Sequence, residues 1–248
     1  MIGNATQEPD SMAGRIAVVT GASGGIGRAI AVALSQRGAR VCALGRNPIA
    51  LAETVAAAQK HSQTTGFQVD LTVEGDLETP LRYLEGVGGL DILIHCAGVI
   101  HQDVMEHARI QDLDLQYSTN VRAPYLLTQC LLPLLISARG QIVFINSSVG
   151  LVAKRPEIAQ YAATKHALKA IADSLREEVN PKGVRVLSAY LGRTATPMQE
   201  GISRSEGTTY RPETLLQPGD VASIVLQILL LPPSAEVTDI SIRPMYKP

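Results

Sequence analysis

The sequence has no tryptophan, and aromatic residues make up only 4% of its 248 positions. Proteins that hold single-stranded nucleic acid stack its bases on aromatic side chains, so this scarcity argues against that class. Positive charge is not in excess either, since the formal net charge is −1. A chain without a basic field does not attract nucleic acid or an anionic membrane surface. We therefore expect neither kind of partner.

Cysteine and long apolar runs are also scarce. The three cysteines, Cys42, Cys96 and Cys130, show no CxxC spacing, which fits reduced thiols better than a disulfide framework or a metal site. The first fifteen residues are polar and carry acids, unlike a signal peptide. The longest apolar stretches, 125–136 and 221–231, fall short of the ~20 residues that span a bilayer. We predict a cytoplasmic protein without a bound metal.

What the sequence does contain is 46% hydrophobic and 18% charged residues, enough to bury a core and unlike a disordered chain. Short β-branched segments alternate with longer segments of helical periodicity. The patterns predict strands at 16–20, 41–44, 67–69, 91–95, 141–145, 184–189 and 237–242. They predict helices at 25–38, 48–59, 74–86, 110–137, 159–180 and 218–231. This alternation indicates a parallel sheet covered by helices on both faces.

The chain shows no repeat, no low-complexity linker and no break in composition. We predict a single α/β domain over 1–248: a doubly wound, Rossmann-type parallel sheet of about seven strands with helices on both faces. Residues 1–14 are expected to be flexible. The stretch 192–219 is polar and has little helical pattern. Loops of that length are often binding loops, so we predict that it binds substrate.

A glycine-rich turn follows the first predicted strand, with the sequence TGASGGIG at 20–27. Glycine lets the backbone approach a pyrophosphate, and the next helix offers free N–H groups and a positive dipole end. A tight turn that merely needs glycine is the alternative. The position between the first strand and an amphipathic helix favours a nucleotide site. Its candidate contacts are Gly21, Ser23, Gly25, Ile26 and Gly27.

The end of the second strand bears on the choice of nucleotide. NAD-binding folds carry an acid about 20 residues after the glycine turn, to hold the ribose diol. That place is Gly45 here, and Arg46 follows it. A guanidinium without a carboxylate favours a 2′-phosphate, and hence NADP; an ordinary solvated arginine is the alternative. Asp70 is a candidate contact to adenine, or else a turn residue.

Tyr161 and Lys165 form a Tyr-x-x-x-Lys pair in a segment with helical character. Positions i and i+4 share one face of a helix, and an ammonium beside a phenol lowers its pKa toward the working range of an acid–base catalyst. The pentapeptide alone also occurs by chance. Ser148 precedes the tyrosine by thirteen residues, just past a predicted strand, where its hydroxyl would reach a developing oxyanion; a turn cap is the alternative.

These pieces together resemble the short-chain dehydrogenase/reductase family from about residue 15 to residue 244. The pieces that match are TGASGGIG at 20–27, Asp70-Leu71, CAG at 96–98, Asn120 within STNV, Ser148, YAATK at 161–165 and GRTAT at 192–196.

The resemblance implies roles for the matching residues. It implies a catalytic site of Ser148, Tyr161 and Lys165, completed by Asn120, in which serine polarises a carbonyl and tyrosine passes a proton. Lysine binds the nicotinamide ribose and lowers the tyrosine pKa, and asparagine places a water in a proton relay. Tyr161 and Lys165 therefore also count as cofactor contacts. The other cofactor contacts that the resemblance implies are Leu71, Cys96, Ala97, Gly98, Thr194 and Thr196.

The sequence departs from the family pattern at two positions. Cys96 stands where the family has asparagine, which stabilises the central sheet, and Leu191 stands where it has proline. Neither change removes a proton-transfer group.

The expected function is an NADP-dependent oxidoreductase that transfers hydride between the cofactor and a carbonyl or secondary alcohol of a small molecule. A 3-oxo or 3-hydroxy acid, a ketone or an aldehyde all fit, with Arg204 or Arg211 as a candidate partner for a substrate anion or as solvated charge. The alternatives are a 3-oxoacyl-thioester reductase, a non-catalytic NADP-binding regulator, and an epimerase or dehydratase. Extra apolar surface on helices 110–137 and 159–180 predicts a homodimer or homotetramer.

Overall fold

A computed structural model describes residues 11–246. Its central feature is one parallel sheet with the strand order β3-β2-β1-β4-β5-β6-β7. The order reverses direction at β1, which is the doubly wound arrangement in which ligands bind beyond the carboxyl ends of the strands. The strands are β1 (Ile16–Thr20), β2 (Arg40–Gly45), β3 (Thr64–Gln68), β4 (Ile92–His95), β5 (Gln141–Ser147), β6 (Arg185–Leu191) and β7 (Asp239–Ile242).

Helices connect the strands and cover both faces of the sheet. They are α1 (Gly25–Gln36), α2 (Pro48–Ala58), α3 (Glu78–Val87), α4 (Ile110–Tyr117), α5 (Ala123–Ala138), α6 (Ala159–Val179), α7 (Pro197–Ser205) and α8 (Pro218–Leu229). A π-helical segment, Ser118–Arg122, joins α4 to α5.

Two apolar clusters form the core, one on each face of the sheet. Alternate residues of β1 divide between them: Val19 packs with Ile30 of α1 and Val225 of α8, and Val18 packs with Leu131 of α5 and Leu168 of α6. Successive side chains of a strand point to opposite faces. A strand that is apolar at every position therefore needs helices on both sides, as the sequence predicted.

The predicted fold class is confirmed, and the strand boundaries differ in two informative places. The third strand lies at Thr64–Gln68 rather than 67–69. It is the edge strand next to β2, so after buried Thr64 its residues alternate between half-buried and exposed and give a weaker apolar signal. The fifth strand runs on through Asn146 to Ser147, two residues past the predicted end, because both remain paired with β6.

The stretch 192–219 contains more helix than predicted. Helix α7 occupies Pro197–Ser205, so the expectation of a helix-poor loop was wrong there. Thr196 caps the helix by accepting a hydrogen bond from the N–H of Gln199, and Pro197 suits its first turn. The buried residues of the helix, Gln199 and Ser203, are polar, so the sequence carries little of the apolar periodicity that indicates a helix.

The expectation that residues 1–14 are flexible falls largely on residues 1–10, which lie outside the described residues. For residues 11–14 the structure gives a correction. Met12 is buried in the core cluster that holds α1, and its N–H donates to the carbonyl of Arg37 at 2.7 Å.

The continuous helical stretch Ile110–Ala138 is long and apolar enough to cross a membrane by length and composition alone. In this fold its α5 part lies on the sheet: Leu127, Leu131 and Leu135 are buried in the core. Its apolar character is that of a core helix.

Candidate functional site

Two of the cavities along the carboxyl ends of the central strands hold most of the predicted site residues, and a third, of about 500 Å³, adjoins them at Gly98. The larger of the first two, about 300 Å³, is lined by Tyr161 and Lys165 and is called the Tyr161 cavity. The smaller, about 220 Å³, is lined by Arg46 and is called the Arg46 cavity. Gly98 borders both, so together they form one cleft across the point where the strand order reverses.

Most of the predicted site residues border this cleft. Those on the Tyr161 cavity are Ile26, Cys96, Gly98, Ser148, Tyr161, Lys165, Thr194 and Thr196. Those on the Arg46 cavity are Gly21, Ser23, Arg46, Asp70, Leu71, Ala97 and Gly98. Three predicted site residues line neither cavity: Gly25, Gly27 and Asn120.

The glycine-rich turn is packed against the loop after β4. Gly21 has a φ of +67°, a conformation that favours glycine. A Cβ at this position would lie 2.8 Å from the backbone N of Ala97. A side chain would therefore force the turn away from the floor of the cleft.

Helix α1 begins at the inner edge of the cleft with free N–H groups. Gly24 caps it without a side-chain hydrogen bond, and no acidic residue stands in its first turn. Arg28 fixes the preceding loop by donating to the carbonyl of Ser23 and to the carboxylate of Glu53 on α2. The N-terminus is thus held in place and left open to an anion.

The Arg46 cavity carries no carboxylate at position 45, which is a glycine packed against Ser23. A Cβ on Gly45 would lie 2.0 Å from Oγ of Ser23. Arg46 follows directly, is exposed, and is engaged by no hydrogen bond or salt bridge within residues 11–246. The wall where an NAD-binding fold would hold a ribose diol therefore presents a guanidinium.

Asp70 lies two residues past the end of β3. Its carboxylate accepts hydrogen bonds from the N–H and hydroxyl of Thr72, at 2.9 and 2.7 Å. These bonds hold the pKa of Asp70 below its usual value. Asp70 thus forms a turn, as the alternative interpretation expected, and still borders the Arg46 cavity.

Thr20 holds the loop at the cysteine that replaces the family's asparagine. Its hydroxyl accepts hydrogen bonds from the N–H groups of Cys96 and Ala97, at 3.0 and 3.1 Å, and its oxygen lies 3.3 Å from the carbonyl of Ile94, to which it donates. The backbone of the loop is fixed without the asparagine side chain. His95 points the other way, where it is buried and stacks on Phe144.

Tyr161 and Lys165 lie one turn apart on α6 and face the Tyr161 cavity. Nζ of Lys165 is 5.7 Å from the centre of the phenol ring, and it donates to the carbonyl of Ile145 at 3.3 Å. Only 4% of Lys165 is exposed. The ammonium is therefore held in a largely dry site beside the phenol.

Burial controls the protonation of this pair. It lowers the pKa of Lys165 to about 8. It also raises the pKa of Tyr161 to about 12, with a hydrogen bond to Ser147 acting in the opposite direction. In the protein alone, burial disfavours the phenolate more strongly than neighbouring groups stabilise it. A lowered tyrosine pKa beside both Lys165 and a cationic nicotinamide stays a prediction.

Ser147 also borders the Tyr161 cavity, although the sequence pattern selected Ser148. Ser147 is the half-buried last residue of β5, and as a hydrogen-bonding neighbour it lowers the pKa of Tyr161. Ser148 begins the following 3₁₀ turn and is exposed, although it borders the same cavity.

Asn120 lies in the π-helical segment and is fully buried. Its Nδ2 donates to the carbonyl of Val99 and to the hydroxyl of Thr164, and its Oδ1 accepts from the N–H of Val99. A Cβ on Gly98 would lie 3.3 Å from this Oδ1 and 3.9 Å from Nζ of Lys165. The side chain therefore fastens the loop after β4 to α6, immediately behind the cleft.

Thr194 and Thr196 form the wall opposite the glycine turn. Thr194 donates to the carbonyl of Gly192, and Thr196 donates to the carbonyl of Thr194. A Cβ on Gly25 would lie 3.0 Å from Cγ2 of Thr196. The start of α7 is thus close to the start of α1.

Besides Asn146 and Ser147, five polar residues of this region were not among the predicted site residues. Two arginines and two glutamines line the Tyr161 cavity, and a glutamate bridges the arginines; they are Arg155, Arg193, Gln102, Gln199 and Glu206. They come from four separate segments of the chain, so no local motif marks them.

Comparison with known proteins adds a second line of evidence. A family profile described as short chain dehydrogenase matches residues 15–207. An uncharacterised oxidoreductase from Staphylococcus epidermidis is 32% identical over 233 residues, which is 93% of this chain and 97% of the relative. Farnesol dehydrogenase from Aedes aegypti is 32% identical over 251 aligned residues, covering 95% and 98%.

A solved structure supports the same relationship. The crystal structure of a dehydrogenase/reductase from Sinorhizobium meliloti superposes with a TM-score of 0.82 at 29% identity. The match covers 94% of this chain and 95% of that one.

Proposed function

Because the chain belongs to the short-chain dehydrogenase family, we propose that it is an NADP(H)-dependent oxidoreductase that interconverts a carbonyl and a secondary alcohol of a small molecule. The observation that carries this proposal is the grouping of Tyr161, Lys165 and Ser147 on one wall of the Tyr161 cavity. Around this cavity, Tyr161 can carry a proton, Lys165 is a buried cation, and Ser147 can donate a hydrogen bond from its hydroxyl. Members of this family use NAD(P).

The residues of the cleft fit a dinucleotide. Gly21 leaves the space that a Cβ would fill, and the uncapped start of α1 faces the same turn. The two joined cavities give an extended rather than a compact space. The Tyr161 cavity would take the nicotinamide end and the Arg46 cavity the adenosine end.

The preference for NADP rests on Arg46 and Gly45. A 2′-phosphate needs a donor that is free of other partners, and Arg46 fits because no carboxylate within residues 11–246 forms a salt bridge with it. Position 45 is a glycine, so no carboxylate stands there to repel the phosphate. A guanidinium binds phosphate through charge-assisted and bidentate hydrogen bonds.

The dinucleotide supplies hydride when bound; the protein handles the proton and the developing charge. The hydroxyl of Tyr161 donates its proton to the carbonyl oxygen during reduction and takes it back during oxidation. Ser147 donates a hydrogen bond to the same oxygen as negative charge develops. Since burial keeps the phenol protonated at neutral pH, reduction starts from the stable protonation state of Tyr161.

The test is a panel of ketones, aldehydes and 3-oxo esters, followed by the loss of NADPH absorbance. We expect turnover with NADPH and its loss in Tyr161→Phe, with Tyr117→Phe as the control because Tyr117 is an exposed tyrosine on α4. Unchanged turnover in Tyr161→Phe would exclude Tyr161 as the proton donor. Binding of NADPH without consumption by any compound would favour the regulatory alternative, and NADPH retained tightly through turnover would favour an epimerase or dehydratase.

We also propose a homodimer or homotetramer. A groove of about 480 Å³ lies between α5 and α6, lined by Leu132 and Ile171, and Tyr125 on its edge is 56% exposed. Light scattering after size exclusion should give the mass of two or four chains, and a monomer at all concentrations would refute the proposal. A cytoplasmic location and a single domain over 1–248 remain predictions.

A further inference from the structure

Two side chains that line the Tyr161 cavity carry an amide donor that has no partner within residues 11–246. Nε2 of Gln102 and Nε2 of Gln199 are buried, and neither finds a hydrogen-bond acceptor within residues 11–246. Gln199 as a whole is only 5% exposed. Both side chains border the cavity that holds Tyr161.

An unpaired donor in a buried place costs free energy, so native proteins rarely keep one without a use. Gln199 lies in the first turn of α7 and Gln102 in the loop after β4. They border the cavity from two different segments. A ligand that brings acceptor atoms would satisfy both donors.

A cluster of charges borders the same cavity. Glu206, at the end of α7, accepts hydrogen bonds from Arg155 and from Arg193. Both arginines line the cavity. Two guanidinium groups share one carboxylate, which leaves one unbalanced positive charge at the wall.

The rest of that wall is apolar, with Ile100, Ile158, Met198 and Ile202 among its side chains. Apolar walls with a few placed polar groups are typical of small-molecule sites and set the orientation of the ligand. Apart from Glu206, which the two arginines share, the charged groups named above are cations, and the unpartnered atoms are both donors.

Resting on the proposed function, we propose that the substrate is an oxo acid, whose carboxylate is bound by Arg193, Arg155 and the amides of Gln199 and Gln102 while its carbonyl faces Tyr161. A carboxylate is planar, accepts hydrogen bonds only, and matches both the guanidinium and the amide donor.

The two arginines named from sequence do not fill this role. Arg204 is 79% exposed and forms a salt bridge with Glu200 at 3.6 Å, and Arg211 is exposed. Neither borders the Tyr161 cavity. Both arginines are solvated surface side chains. Because Arg204 lies on the same helix as Gln199, the variant Arg204→Met serves as a control.

The experiment compares matched substrates. Initial rates of NADPH oxidation are measured with 4-oxopentanoate and its methyl ester, and with 3-oxobutanoate, its methyl ester and its neutral N-acetylcysteamine thioester. We expect kcat/KM for each acid to exceed that for its ester at least about tenfold, because only the acid brings the acceptor-rich anion. Equal rates for acid and ester, or preference for the thioester, would overturn the inference and leave the proposed function standing.

Three variants assign the effect to residues. Arg193→Met and Gln199→Met should each lower the ratio of acid to ester kcat/KM about tenfold or more, whereas Arg204→Met should leave both the ratio and the activity unchanged. If the cluster has only a structural role and fixes the end of α7, the variants would lower kcat/KM for the acid and for the ester equally. The ratio of the two would then stay the same. That result would contradict the inference.

Binding separates this inference from the proposed function. Calorimetric titration of the NADP⁺-loaded wild-type protein with 4-oxopentanoate and its methyl ester needs no turnover. Tighter binding of the acid that is lost in Arg193→Met supports the anion site even if no carbonyl is reduced. Equal or tighter binding of the ester overturns it.

Discussion

Ser147→Ala tests which of two adjacent serines supports the reaction, because the structure indicates Ser147 and the sequence pattern indicates Ser148. The side chain of Ser147 borders the Tyr161 cavity and, as a hydrogen-bonding neighbour, lowers the pKa of Tyr161. In the proposed reaction the same hydroxyl supports the carbonyl oxygen. Loss of one donor to a developing oxyanion costs about 10²–10³ in kcat, and we expect a loss of that size.

The stability cost should be small by comparison. Ser147 is half-buried, and its hydroxyl accepts a single long hydrogen bond of 3.4 Å from the N–H of Val149. Removal of such a cap costs about 1 kcal/mol. Urea unfolding followed by circular dichroism would confirm that lost activity is not lost folding.

Ser148→Ala is the matched control, because Ser148 is exposed and begins the next turn. Its kcat with NADPH and a reducible ketone should fall less than about threefold, within the range of ordinary surface substitutions. The pH profile of alcohol oxidation gives a second measurement: in Ser147→Ala its rise should move to higher pH, since the tyrosine loses a bond that lowers its pKa. A large loss in Ser148→Ala together with an active Ser147→Ala would refute the reasoning.

Three other predictions follow from the site. Arg46→Ala should weaken NADPH binding about tenfold or more and NADH binding little; equal losses, measured by fluorescence titration, would remove the case for a 2′-phosphate. Burial lowers the pKa of Lys165 from 10.5 to about 8, so the unfolded chain binds more protons between these values and stability from this group rises with pH. At pH 7 the free energy of unfolding of Lys165→Met, measured with urea, should therefore exceed that of wild type by up to about 3 kcal/mol. At pH 9 this difference should be about 1 kcal/mol smaller, and a difference independent of pH would contradict the argument. Burial also raises the pKa of Cys96 and of Cys42 to about 12, so iodoacetamide at pH 8 should label exposed Cys130 first by peptide mass spectrometry, and early labelling of Cys96 would contradict the burial argument.

The doubly wound sheet was predictable because its strands are buried on both faces. β1 and β4 are apolar at nearly every position and end where the pattern ends. β3 is an edge strand with alternating burial, and its true bounds depend on pairing with β2 rather than on its own residues.

The choice between two adjacent serines illustrates the limit of spacing. Counting thirteen residues back from Tyr161 selects Ser148, but the serine that lowers the pKa of Tyr161 depends on where β5 ends. Pairing of Ser147 with Leu191 extends the strand by two residues, and no local signal in the sequence fixes that end.

Helix α7 was predictable in principle. Thr196 followed by Pro197 is a helix start, with a capping side chain and a proline in the first turn, but the polar residues at its buried positions obscured it. The cluster of Arg155, Arg193 and Glu206 was not predictable, because it joins residues from three segments that meet only in the folded chain.

A crystal structure of the protein with NADPH tests the central claim most directly. The account predicts the 2′-phosphate within hydrogen-bonding distance of Arg46 and the nicotinamide ring in the Tyr161 cavity, with the hydroxyls of Tyr161 and Ser147 facing the same side of the ring. A nicotinamide ring placed outside that cavity, or a dinucleotide bound away from the glycine turn at 20–27, would contradict it.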